Sequence, residues 1–128
     1  MTAIQSSTKY NDANKYGAAN CIDGYSDSDN GPDGKKAICH TATWAEAAPW
    51  IAVDYNASVT VRRVEIFNRG HNGRHTRNVD VRISDELPTS SDQMFSGGTL
   101  LGHFAGPGTD GQQIIISGKK NNCENNHC

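Results

Sequence analysis

The clearest pattern in the chain is the alternation Asn78-Val79-Asp80-Val81-Arg82-Ile83, with Val79, Val81 and Ile83 on one face and polar residues on the other. Extended backbone points successive side chains to opposite sides, so this period predicts a half-buried strand. Residues 59–67 carry Val59 and Val61, then Val64 and Ile66. Their phase slips at Arg62-Arg63, as a bulge or bend in a strand would produce. Residues 50–54, residues 99–101 with Phe104, and residues 114–116 predict three more short strands. Gly, Asn, Asp and Pro cluster between them, at residues 27–34, 70–73, 87–92 and 106–111, and no stretch sustains a helical period. Short strands separated by turn residues at this spacing predict an antiparallel β-sandwich or barrel.

The chain has 128 residues, which suits a single domain over 1–128 with one sizeable core. Hydrophobic residues make up 35% and charged residues 20%, enough apolar content to fold. Net charge is −2 and basic residues concentrate only between Arg62 and Arg82, so no broad positive field exists to attract nucleic acid or anionic lipid. The longest apolar run, Ile114-Ile115-Ile116, is far too short for a membrane span. Residues 1–20 lack the layout of a signal peptide, so a mature chain is expected. Cys21, Cys39, Cys123 and Cys128 are an even number near the two ends, which fits disulfides and a secreted, extracellular setting. A zinc site is the rival reading, but no C-x2-C pair is present.

Two segments concentrate chemistry. The first runs from Asn20 through Asp23, Asp27, Asp29 and Asp33 to His40, a glycine-containing loop rich in the hard oxygens that Ca2+ selects; the alternative is a solvated acidic loop. The second, residues 68–77, places Arg69, Arg74, Arg77, His71 and His75 in one turn between two expected strands. So many donors can bind an anion or grip the hydroxyls of a neutral sugar, unless the turn is a hairpin tip whose charges point to water.

Ala19-Asn20-Cys21-Ile22-Asp23-Gly24, Cys39-His40-Thr41, Ala48-Pro49-Trp50-Ile51-Ala52-Val53-Asp54, Val64-Glu65-Ile66-Phe67-Asn68-Arg69-Gly70 and the tail Cys123-Glu124-Asn125 resemble, in order, the segments of the F-type lectins. The resemblance covers nearly the whole chain. It implies an all-β, antiparallel, jelly-roll-like sandwich shared with discoidin domains, a sugar pocket at the loop end, and a structural Ca2+ close behind it. It assigns the sugar to His40, Arg69 and a second basic residue, Arg77 or in competition Arg74. It assigns the ion to Asp23 and Glu124 with oxygens of Asn20, Tyr25 and Asn125. It also implies a Cys39–Cys123 bridge, leaving Cys21 with Cys128; from the sequence itself all three pairings stay open, and Cys128 can also pair with another chain.

The pattern departs from the family where Arg-x-Asp is usual, because His71 stands in place of the bracing carboxylate. Asn72-Gly73-Arg74 stands where several members place adjacent cysteines against the methyl group of fucose. A more polar pocket favours a hydroxymethyl, hence galactose over L-fucose. Trp44, four residues after His40, is expected to line the pocket, while Trp50, Tyr16, Phe67 and Phe104 are expected to pack. The expected partners are glycans of glycoproteins or glycolipids. Single-sugar affinity is weak, so a homo-oligomer with several sites is expected. No catalytic triad, carboxylate pair or catalytic metal signature is present, so no enzyme activity is expected. The alternatives are a discoidin-like adhesion module for protein or lipid surfaces and, behind it, a glycan-processing enzyme.

Overall fold

A computed structural model describes residues 1–26, 38–42, 46–87 and 97–118. Six strands appear among them: β1 Thr2–Gln5, β2 Ile51–Asp54, β3 Arg63–Phe67, β4 Val79–Ile83, β5 Thr99–Phe104 and β6 Gln113–Ser117. Helical structure among these residues amounts to one four-residue α-turn, Ala13–Tyr16, and three 3-10 turns, Lys9–Asn11, Ala18–Cys21 and Gly73–His75. The α-turn starts where the side chain of Asp12 accepts a hydrogen bond from the Lys15 amide.

The strands pair antiparallel as β1 with β2, β3 with β6, and β4 with β5. In the β3–β6 ribbon Val64 lies opposite Ile116 and Ile66 opposite Ile114. Ile114 and Ile116 are buried while Ile115 between them faces out at 53% exposure, so this short run alternates as a half-buried strand must. The β4–β5 ribbon packs on β6 at Gly102, where a β-carbon would come within 2.7 Å of Ile116 Cγ2. Glycine there lets the two ribbons approach, and they form the facing layers of a β-sandwich.

Four points differ from the sequence expectations. The bulge falls not at Arg62-Arg63, where β3 simply begins, but in β5: Val81 pairs with Gly102 and Arg82 with Leu100, so Leu101 is the extra residue. The basic turn after β3 is not a hairpin tip, since β3 and β4 belong to different ribbons and the turn crosses between them. β1 lacked any alternation strong enough to stand out, and it forms by pairing with β2. Phe67, expected to pack, is 49% exposed.

Candidate functional site

His40 is held by the first forty residues folding back on one another. Its amide donates to Tyr16 O at 3.1 Å and its carbonyl accepts from the Lys9 amide at 3.0 Å, while the Ile38 amide donates to Lys15 O at 3.1 Å. The carboxamide of Gln5 donates to Thr8 Oγ1 and Tyr16 O, each at 2.9 Å, and so braces the same crossing from β1. A disulfide joins Cys39 to Cys21, their Cα atoms 5.3 Å apart. Beyond His40 the Ala42 amide is tied to Ser7 Oγ at 2.8 Å.

The imidazole Nδ1 lies 2.6 Å from Thr41 O. A carbonyl only accepts, so Nδ1 carries the proton and the neutral ring keeps Nε2 as an acceptor. Burial lowers the His40 pKa below its usual 6.5; the hydrogen bond to Thr41 works against this, and the charges of Lys9, Arg69 and His75 add to the lowering. Tyr16 meets the imidazole edge-on, ring centroids 5.9 Å apart.

Arg69 arrives from the far side of the sequence on a turn built around Asn68, the one buried polar residue among those described. All the hydrogen-bonding capacity of its carboxamide is used. Nδ2 donates to Gly73 O at 2.9 Å and Thr109 O at 2.8 Å, and Oδ1 accepts from the Arg69 amide at 3.0 Å and Thr76 Oγ1 at 2.8 Å. The Gly73 amide donates to Asp110 Oδ1 at 2.6 Å, the Gly111 amide to Arg69 O at 2.9 Å and the Gly108 amide to Thr76 O at 2.8 Å. Residues 68–76 and 108–112 are thereby one knitted unit. Gly73 sits at its centre, where a β-carbon would collide with Thr109 O and lie 2.7 Å from Asn68 Nδ2.

The structure therefore brings His40 and Arg69 into one electrostatic neighbourhood from stretches far apart in sequence. It adds His75, one of the donors in the basic turn, and Lys9, which nothing local in the sequence marks. Arg74, Arg77 and His71 are exposed and are not among the charges that act on His40. The backbone of Arg77 instead backs against Gly106, where a β-carbon would lie 2.9 Å from Arg77 Cα. Trp44 lies outside the described residues.

Of the expected calcium ligands, Asn20, Asp23 and Tyr25 are described, whereas Glu124 and Asn125, like Asp27, Asp29 and Asp33, are not. Asn20 Nδ2 donates to Asn14 O and Ile38 O, both at 3.4 Å, which leaves its Oδ1 for a cation. Asp23 Oδ1 closes a turn by accepting from the Tyr25 amide at 2.9 Å. One carboxylate and one amide oxygen suit a hard ion but fall short of the roughly six to eight oxygens Ca2+ takes. No group of three or more His, Cys, Asp or Glu that could hold a metal occurs among the described residues. The Cys21–Cys39 bridge also replaces the Cys39–Cys123 and Cys21–Cys128 pairing implied by the resemblance: the end of the Ala18–Cys21 turn already lies beside the segment that leads into His40. Cys123 and Cys128 lie outside the described residues.

The antiparallel sandwich, with His40 and Arg69 on segments outside its strands, suits a binding module of the carbohydrate or discoidin-like class. The chain belongs to the F5/F8 type C family described as the NedA-like, galactose-binding domain, whose family model matches residues 20–103. The match reaches this galactose-binding-like family and does not single out the F-type lectins. No curated protein and no solved structure matches the chain. Among the described residues no helix is long and apolar enough to cross a membrane.

Proposed function

We infer that the protein is a lectin of F-type character that binds a terminal sugar bearing an axial hydroxyl, galactose in preference to L-fucose. The observation that carries this reading is that Arg69, from a distant stretch of the chain, is among the charges that act on His40. A neutral His40 offers Nε2 as acceptor to one hydroxyl hydrogen while the Arg69 guanidinium donates to neighbouring ring oxygens, so one hydroxyl pair meets both polarities. His75, from the same turn as Arg69, supplies a further polar group. The family match supports glycan binding. Donor-rich loops suit sugar hydroxyls better than the apolar spikes with which a discoidin-like module would enter a lipid surface.

Asn20, Asp23 and Tyr25 with Glu124 and Asn125 would hold a structural Ca2+. The protein acts outside the cell as a single-domain binding module without turnover, and assembles into a homo-oligomer for avidity. Isothermal titration with D-galactose, lactose and L-fucose tests the reading. Galactose and lactose are expected to bind, and Arg69→Ala to abolish binding with little change in Tm; tight fucose binding without galactose binding rejects the preference. Calcium is expected to raise Tm in the wild type and not in Asp23→Ala.

A further inference from the structure

Tyr10 has no role in the site as described, yet its placement is unusual. Tyr10 is the most open of the exposed large hydrophobic residues, at 77%. Its backbone sits at φ +55°, ψ +16°, in the left-handed region that a bulky residue enters only when its surroundings impose it. The turn that imposes it is closed by the Asn11 amide donating to Thr8 O at 3.0 Å and the Asp12 amide donating to Lys9 O at 3.1 Å. Glycine or asparagine would make this turn more easily, so the chain holds a large ring outward at a conformational cost.

That ring is continuous with the site. Tyr10 meets Tyr16 edge-on with centroids 6.0 Å apart, and Tyr16 meets His40 in the same way at 5.9 Å. The Lys9 ammonium lies over both tyrosines, 5.2 Å from the Tyr10 centroid and 5.3 Å from that of Tyr16. Lys9 thus covers part of the Tyr10 ring and Tyr16 touches its side; at 77% exposure the remainder meets solvent. An aromatic face open to water beside a fixed ammonium matches a pyranose, which presents C–H groups on one face and hydroxyl oxygens at its rim.

We propose that Tyr10 and Lys9 form a second subsite, one ring beyond His40, that takes the adjoining sugar of a glycan with its C–H face against the Tyr10 ring. This rests on the reading of His40 and Arg69 as the holders of the terminal sugar. The first subsite reads hydroxyl stereochemistry through directed hydrogen bonds. The second adds apolar contact that only a chain of two or more sugars can reach, so the site prefers a disaccharide to its terminal residue alone.

Isothermal titration of the full chain with methyl β-D-galactoside and with lactose measures that preference directly. In the wild type lactose is expected to bind about fivefold tighter, the size of one aromatic contact. Tyr10→Phe keeps the ratio because the ring is retained. Tyr10→Gly, which suits the positive φ and so preserves the turn, brings the ratio close to one. A wild-type ratio of one, or a ratio that Tyr10→Gly does not move, with methyl galactoside still bound, overturns the second subsite and leaves the reading of His40 and Arg69 standing. Failure of the wild type to bind either sugar overturns both.

Discussion

Removing the carboxamide of Asn68 would strip the buried Gly73 carbonyl and the part-buried Thr109 carbonyl of a donor and free the Arg69 amide and Thr76 hydroxyl. Unsatisfied buried polar groups are expensive, so Asn68→Ala is expected to destabilise the fold by about 3 kcal/mol in urea denaturation. Sugar affinity should fall with it, because Arg69 stands next in the chain and inherits its position from this hub. His40 gives a second residue-scale outcome. Its pKa in the folded state lies below the unfolded value of 6.5, so the unfolded chain takes up the proton first as pH falls. Stability linked to His40 is complete above pH 6.5 and is lost as pH drops below it toward the folded pKa. Sugar binding should weaken over that same lower window, since protonation converts the Nε2 acceptor into a donor. Titrations at stepped pH check this, and His40→Gln should flatten the dependence.

Within the β3–β6 ribbon, three consecutive isoleucines have unequal roles. Ile116 is buried opposite Val64 and under Gly102, whereas Ile115 faces outward. Ile116→Ala is expected to cost about 3 kcal/mol, from lost burial plus the cavity left between the layers. Ile115→Ala should cost well under about 1 kcal/mol, being a surface change. Equal losses in thermal denaturation would contradict the layer assignment. The β5 bulge belongs to this scale too. The extra Leu101 lets Gly102 stay opposite Val81 while Leu100 turns outward, 47% exposed.

For the whole molecule, the Cys21–Cys39 bridge closes a loop of sequence separation 18 directly beside His40. A crosslink of that span stabilises by about 3 kcal/mol, chiefly by restricting the unfolded chain. Reduction is expected to lower Tm and to weaken sugar binding, because the segment carrying His40 loses its tether to the Ala18–Cys21 turn. Peptide mapping of the oxidised protein should recover Cys21 joined to Cys39. A Cys39–Cys123 peptide in its place would overturn this arrangement.

Five of the six strands were legible in the sequence, since alternation and β-branched runs such as those around Val79 and Ile114 report local burial directly. The sandwich class followed from their turn-separated spacing. His40 and Arg69 could be named as candidates from the sequence, because each sits in a short segment with recognisable neighbours. β1 was not, for a four-residue edge carries little signal until β2 pairs with it. Lys9 comes beside His40 through its amide's bond to His40 O, and Asn68 organises its turn partly through a bond to Thr109 in the turn at residues 108–112. Local patterns record which face of each segment seeks the core. They do not record which distant segments share a ribbon, and so the joining of His40 to Arg69, the crossing of the basic turn between layers and the partner of Cys39 were decided by long-range packing alone.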